Sequence, residues 1–323
     1  TNQGRTSEAE PLYQQALAMY QRLLGDEHPD VALSLNNLAN LYRNQGRTSE
    51  AEPLYQQALA MYQRLLGDEH PDVALSLNNL ANLYTNQGRT SEAEPLYQQA
   101  LAMRQRLLGD EHPDVAQSLN NLAALYRNQG RTSEAEPLLQ QALAMRQRLL
   151  GDEHPDVAGS LNNLAALYDD QGRTSEAEPL YQQALAMYQR LLGDEHPDVA
   201  QSLNNLAFLY HNQGRTSEAE PLYQQALAMR QRLLGDEHPA VAQSLNNLAN
   251  LYDNQGRYSK AEPLYVQAVL VFYQQLGENH PNTQTVLNNF VEFLRKVINS
   301  GQTSVLSDHP WTQHLLHQLQ QPE

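Results

Sequence analysis

Histidines that stand beside carboxylates are the side chains with the clearest potential for chemistry in this sequence of 323 residues. Each copy of a Gly-Asp-Glu-His-Pro string, or its last variant Gly-Glu-Asn-His-Pro, supplies one of them, and the copies recur every 42 residues. A metal ion needs its ligands within about 2 to 2.5 Å of one point, whereas these histidines are separated by whole repeats. We therefore predict no metal site and expect each histidine to pack or hydrogen-bond locally. The series comprises His28, His70, His112, His154, His196, His238 and His280.

Nucleophilic and acid–base chemistry is not predicted either. Serine, histidine and aspartate occur at the same positions in nearly every repeat, whereas catalysis needs one place where the environment drives the pKa values of two groups apart. The glycines are isolated and form no phosphate-binding loop. Cysteine is absent, which excludes thiolate chemistry. We predict neither an enzyme nor a cofactor.

The charge of the chain is strongly negative and evenly spread. The formal net charge is −16, whereas nucleic acids and anionic membranes are bound by basic surfaces. No apolar run approaches the ~20 residues that span a bilayer. We therefore expect no nucleic acid and no membrane as partners, and the lack of cysteine fits a cytoplasmic location. Because the chain opens in the middle of a repeat, we expect a fragment of a longer array or of a larger protein, and we expect this fragment to be a monomer when isolated.

Two amphipathic helices are predicted in each repeat. Helix A begins at Pro29, which suits the first helical position, and apolar side chains recur at helical spacing to about Asn44. The string Ser49-Glu50-Ala51-Glu52 has the pattern of a capping box that opens helix B, with Pro53 still in the first turn. Gly67 ends this helix. One repeat is therefore an antiparallel helical hairpin.

The strings LNNLAxLY in helix A and GRTSEAEPLYQQAL in helix B resemble the tetratricopeptide repeat. The 42-residue period is similar to that of kinesin light chains and their bacterial relatives. The resemblance implies an all-α fold, a right-handed superhelical solenoid of stacked antiparallel helix pairs. We expect one solenoid over residues 1–300, with a lone helix B at 1–25, six helix pairs at 26–277 and a lone helix A at 278–300.

A tail over residues 301–323 follows, and it contains a predicted short helix at 310–320 with apolar residues at helical spacing. We interpret this helix as a cap over the last exposed apolar face. The alternatives are a linker and a segment that folds into the groove of a neighbour.

Three classes of position on helix A vary between repeats, and their spacing puts them on one face. They are the classes of Leu33, Asn40 and Arg43, and the asparagines near them hardly change. In tetratricopeptide arrays this face lines a concave groove, so the resemblance implies a groove that holds an extended peptide or a partner helix. Asparagine amides donate and accept, so they can pair with any peptide unit. The predicted groove residues are Asn36, Asn37, Asn40, Arg43, Asn78, Asn82, Gln117, Asn120, Arg127, Asn162, Asp169, Asn204, Phe208, His211, Asn246 and Asn250.

The predicted function is therefore a protein–protein interaction scaffold. A rigid spacer or a self-assembling rod with an empty groove is the alternative, and a regulatory domain of a larger enzyme is a third. The predicted groove carries arginines toward its amino-terminal half and aspartates toward its carboxy-terminal half. This pattern favours a partner segment of mixed charge.

Overall fold

The computed structural model describes residues 6–320, which fold into helices joined by short turns. No strand occurs in that span, and the predicted all-α class is confirmed. The helices of even number up to α14 are the A helices, and those of odd number up to α13 are the B helices. Their bounds are α1 (Thr6–Leu24), α2 (Pro29–Asn44), α3 (Thr48–Leu66), α4 (Pro71–Asn86), α5 (Thr90–Leu108), α6 (Pro113–Asn128), α7 (Thr132–Leu150), α8 (Pro155–Asp170), α9 (Thr174–Leu192), α10 (Pro197–Asn212), α11 (Thr216–Leu234), α12 (Pro239–Asn254), α13 (Tyr258–Leu276), α14 (Pro281–Asn299) and α15 (Pro310–Gln320), with a 3₁₀ helix at Thr303–Val305 before α15.

The A helices begin at the recurring histidine. His28 is the N-cap of α2, and its Nδ1 accepts a hydrogen bond from the backbone N–H of Asp30 at 3.2 Å. Pro29 takes the first helical position, where a missing N–H costs nothing. The same cap recurs at the later A helices, so the expectation that these histidines hydrogen-bond locally is confirmed.

The B helices begin two residues earlier than the capping-box pattern predicts. Helix α3 starts at Thr48, its N-cap is Arg47, and no side chain caps it. The predicted capping box is wrong because Arg47, not Ser49, is the N-cap, and the Glu52 carboxylate of the box is occupied by Arg89 of the next repeat, whose Nη1 lies 2.7 Å from Oε2. Pro53 consequently lies in the second turn rather than the first. At the other end Gly67 has φ +85°, a conformation that side chains rarely adopt.

Apolar faces of A and B helices form the core. Around α2 and α3 the fully buried side chains include Val31, Leu35, Ala58 and Met61. Ala58 has no side chain beyond Cβ, so the two helix backbones approach closely. Burial of apolar surface contributes about 25 cal/mol per Å², and each repeat adds a similar increment.

The chain divides into two compact units. Among the described residues, unit 1 covers 6–191 and unit 2 covers 192–320. From α1 to α8 in unit 1, and from α10 to α15 in unit 2, consecutive helices pack against one another in sequence order. The single solenoid over 1–300 stays a prediction, and residues 1–5 and 321–323 lie outside the described part.

The tail packs onto the last repeat of unit 2. Helix α15 contacts α14, and the ring of Trp311 meets that of Tyr273 edge-on at a centroid distance of 5.8 Å. The buried carboxylate of Glu262 accepts hydrogen bonds from the Ser307 backbone N–H at 2.8 Å and the Thr312 hydroxyl at 2.7 Å. Between residues 6 and 320, no helix is both long and apolar enough to cross a membrane.

Candidate binding face of helix A

Each A helix keeps one face accessible. On α2 this face carries Leu33, Asn37, Asn40 and Asn44, at spacings of four, three and four residues that keep the side chains on one side of a helix. Leu33 is 46% exposed, and its equivalent Leu75 on α4 is 40% exposed. We call these positions and their equivalents the open face.

The first asparagine of each Asn-Asn pair does not belong to the open face. These side chains are only 3–8% exposed, whereas the sequence placed them in the groove. The reason is the neighbouring A helix, which covers this position: Nδ2 of Asn36 on α2 donates to the Ser76 hydroxyl of α4 at 3.0 Å. The buried set is Asn36, Asn78, Asn120, Asn162, Asn204 and Asn246.

The second asparagine of a pair donates to the first asparagine of the preceding repeat. Asn121 Nδ2 lies 2.6 Å from Asn78 Oδ1, and the Asn121 Oδ1 accepts from Gln117 at 2.8 Å. Asn121 is thereby fixed from two sides, and the amides form a ladder along the A helices. The Asn-Asn pairs were visible in the sequence, but their opposite roles were not. The same bond joins Asn163 to Asn120 in unit 1, and Asn247 to Asn204 and Asn289 to Asn246 in unit 2.

Asn37 and Asn79 stand at the start of this ladder. Within the described residues, neither side chain makes a hydrogen bond. They flank the exposed Leu33 and Leu75 on α2 and α4, which pack together in unit 1. Leucine side chains and unpaired amides therefore alternate on this part of the open face.

Three members of the Leu33 class lie against the helix B residue 29 positions later in the chain. Gln117 accepts from Arg146 Nη2 at 2.9 Å, and Gln201 accepts from Arg230 Nη2 at 2.6 Å. A Cβ added at Gly159 would meet the hydroxyl of Tyr188 at 3.2 Å. Part of the variation that the sequence assigned to ligand selection therefore serves packing inside the repeat.

The Asn40 class holds a tyrosine hydroxyl of helix B. The Tyr55 hydroxyl donates to Asn40 Oδ1 at 2.7 Å, and burial raises the pKa of Tyr55 to about 12. Asn82 and Asn250 accept from Tyr97 and Tyr265 in the same way. Where Ala124 replaces the asparagine, Leu139 replaces the tyrosine, so acceptor and donor disappear together.

Charged residues of the Arg43 class are paired with the next A helix. Arg127 forms an ion pair with Asp170, and Asp253 accepts from Lys296 Nζ at 2.8 Å. Arg43 itself donates to the neighbouring Asn44 Oδ1 at 3.3 Å, and Asp169 is half-buried. The charges of Arg127 and Asp253 are therefore compensated within the stack, and a partner segment of mixed charge stays a prediction.

No metal centre is formed by the described residues, since no three of their histidine, aspartate and glutamate side chains come together. In each of its units the molecule is a stack of antiparallel helix pairs with one accessible helix face, the architecture of an α-solenoid repeat protein.

The chain belongs to the tetratricopeptide repeat family. The family model, described as Tetratricopeptide repeat, matches residues 1–64, 35–106, 72–148, 114–190, 170–232 and 198–272. Proteins of this class are typically non-catalytic scaffolds that bind protein or peptide partners. No curated protein matches the chain.

Solved structures with kinesin light chain-like repeats are similar to this one. BtubC (BKLC) from P. vanneervenii is 27% identical, with a TM-score of 0.55 over 73% of this chain and 92% of that chain. A Podosopora anserina putative kinesin light chain with nearly identical TPR-like repeats is 34% identical, with a TM-score of 0.52 over 64% and 98% of the two chains. A Rap protein complexed with Competence and Sporulation Factor has a TM-score of 0.57 over 92% and 95% of the chains, and at 15% identity it shows the fold alone.

Proposed function

We propose that this protein is an interaction scaffold whose open face in unit 1 binds an extended peptide segment of a protein partner. The observation that carries the proposal is the alternation of exposed Leu33 and Leu75 with the unpaired amides of Asn37 and Asn79. The leucines would contact apolar side chains of the segment, and the amides would pair with its backbone. The cysteine-free composition suits the cytoplasmic location proposed for it.

The energetics require several repeats to act together. One amide–peptide hydrogen bond contributes about 1 kcal/mol net, which is far from a useful affinity. Side chains held in place before binding lose less entropy when the partner arrives, and the amide ladder holds Asn121 and Asn163 in this way. A segment that spans α2, α4, α6 and α8 would therefore accumulate contacts at low entropic cost.

A peptide library screened against the whole chain tests the proposal. Selected peptides are titrated by fluorescence polarisation against the double variant Asn37→Ala with Asn79→Ala. We expect binding at least tenfold weaker, with unchanged thermal unfolding, because neither amide has a partner in the described structure.

The matched control removes two amides from the outer side of helix B. Gln57 and Gln99 are exposed and likewise unbonded within residues 6–320, so Gln57→Ala with Gln99→Ala should leave the affinity unchanged. If both double variants bind equally well, the open face is not the binding surface. If no peptide binds and light scattering rises with concentration, the chain is a self-assembling spacer.

A further inference from the structure

Unit 2 contains a pocket on its open face, and the residues that line it differ from those at the equivalent positions of other repeats. Its volume is about 530 Å³, and it lies between α10, α12 and the start of α11. Phe208, His211 and Tyr223 supply aromatic walls, and Asn250 and Asn254 supply amides. Phe208 stands where other repeats have asparagine or alanine, and it is 48% exposed.

The substitution at Phe208 leaves a buried hydroxyl without an acceptor. In repeats with asparagine at this position, the tyrosine of helix B donates to it at 2.7 Å. Tyr223 is only 1% exposed, and its hydroxyl has no hydrogen-bond partner among the described residues. A buried polar group without a partner costs about 1–3 kcal/mol, so a ligand that supplies an acceptor recovers this free energy.

Two further side chains, Asn250 and His211, have N–H groups that can donate hydrogen bonds in the pocket. Oδ1 of Asn250 is already occupied by the Tyr265 hydroxyl, so the two N–H bonds of its Nδ2 remain. Nε2 of His211 lies 2.8 Å from Nδ2 of Asn254. Since an amide nitrogen only donates, this contact assigns the proton of the neutral ring to Nδ1, which is the donor of His211.

The pocket has no formal charge of its own. None of its lining residues is a carboxylate, an arginine or a lysine, and burial lowers the pKa of His211, which keeps the ring neutral at pH 7. A charged group would lose its hydration here without a counter-charge. A purely apolar group would leave the Tyr223 hydroxyl unsatisfied.

We propose that this pocket is a subsite for a neutral carboxamide, the side chain of a glutamine or asparagine in a peptide bound on the open face of unit 2. The carboxamide oxygen accepts from the donors of Tyr223 and Asn250, and the methylene carbons pack on Phe208. The inference deepens the proposed function and rests on it, because it takes the open face of unit 2 to bind peptide as well and assigns one side-chain preference there.

Blocked amino acids test the subsite without any knowledge of the partner. N-acetylglutaminamide is titrated into the ¹⁵N-labelled full chain, beside the N-acetyl amides of glutamate, lysine and phenylalanine. We expect saturable shifts of backbone amides in α10 and α12 with the glutamine probe, at least fivefold stronger than with the other three. A stronger response to the phenylalanine probe overturns the carboxamide assignment.

Two variants at position 208 distinguish the contribution of the Tyr223 hydroxyl to probe binding from that of the apolar wall. Phe208→Asn gives Tyr223 the acceptor found in other repeats, so it should weaken the glutamine probe at least tenfold and raise the unfolding temperature. Phe208→Leu keeps an apolar wall without an acceptor and should bind within about threefold of the original chain. Equal binding by both variants contradicts the role of Tyr223.

The two proposals fail in different ways. The variant Asn37→Ala with Asn79→Ala lies in unit 1 and should leave the probe titration unchanged. If the probe binds and no library peptide does, the pocket binds a carboxamide, but the scaffold proposal is wrong and the carboxamide is not that of a bound peptide. If library peptides bind with no enrichment of glutamine or asparagine, the subsite assignment falls alone.

Discussion

Adjacent identical residues have opposite roles in this protein. Successive residues of a helix are about 100° apart, so Asn120 turns toward the neighbouring A helices while Asn121 turns toward solvent. Asn120 Nδ2 donates to the Ala116 carbonyl at 3.0 Å, and its Oδ1 accepts from Asn163 at 3.2 Å. Its amide therefore stabilises the stack rather than contacting a ligand.

Asn120→Ala is accordingly expected to lower the free energy of unfolding by about 1–2 kcal/mol, since it removes buried hydrogen bonds and leaves a small void. Chemical denaturation measures the change. Asn37→Ala, at an exposed and unbonded position, should stay within about 0.5 kcal/mol. Equal effects of the two substitutions would mean that burial does not distinguish the two asparagine classes.

A buried arginine lacks its usual carboxylate in one repeat. Arg104 donates to the Ser118 hydroxyl at 2.7 Å beside Asp114. Arg230 makes the equivalent bond to Ser244 at 2.8 Å, but Ala240 stands where the other repeats have aspartate. Burial lowers the pKa of Arg230 to about 10.

Ala240→Asp should therefore raise the free energy of unfolding at pH 7 by about 1 kcal/mol. The new carboxylate would compensate the Arg230 charge and would also lie in the first turn of α12, where the helix dipole favours it. Ala240→Asn is the isosteric control without charge. A carboxylate no more stabilising than the amide would show that Arg230 needs no counter-charge.

At the level of the helical elements, the bounds of helix A could be predicted because Pro29 and the Gly46 turn mark its ends in every repeat. The start of helix B could not, because the capping-box pattern is local and the competing ion pair of Glu52 with Arg89 of the next repeat becomes visible only in three dimensions. Arg230 was missed for a related reason. An arginine in a helix suggests exposure, and only the position of Ser244 on the next helix explains its burial.

The turn between helices A and B is held by a cluster around one arginine. The Arg131 guanidinium lies 4.0 Å above the Tyr126 ring, 2.7 Å from Glu134 and 2.7 Å from Glu94 on the preceding helix B. A planar guanidinium can make all three contacts at once, whereas an ammonium is a point charge. Equivalent clusters stand at Arg47 and Arg89.

Arg131→Lys should lower the unfolding temperature by about 2–4 °C, because lysine cannot keep the stacking and both carboxylates. Arg148→Lys is the matched control, since Arg148 also contacts a glutamate 37 residues earlier, at 2.6 Å. That pair is more than half exposed on both sides, and such pairs contribute little. Differential scanning calorimetry compares the two, and equal shifts would rule out a special role of the stacked cluster.

At the scale of the whole molecule, the glutamate at the position of Glu52 has one kind of partner inside the array and another in the last repeat. Glu52 contacts Arg89 of the following repeat at 2.7 Å, and Glu94 contacts Arg131 in the same way. In the last repeat the equivalent residue is Glu262, and its carboxylate is held by Ser307 and Thr312 of the tail. The tail thus replaces the contact that a further repeat would make.

The contacts of Glu262 with Ser307 and Thr312 predict that its carboxylate holds α15 in place. Glu262→Gln removes the charge that strengthens the bonds from Ser307 and Thr312, each about 1.5–3 kcal/mol when the acceptor is ionised. Hydrogen exchange in α15 should therefore accelerate at least tenfold, while α2 and α3 keep their protection because repeat stability depends on nearest neighbours. The control is Glu292→Gln, because the exposed Glu292 carboxylate pairs with Arg295 alone among residues 6–320. Unchanged protection of α15 in Glu262→Gln would show that its apolar contacts, such as Trp311 on Tyr273, are sufficient to hold the tail.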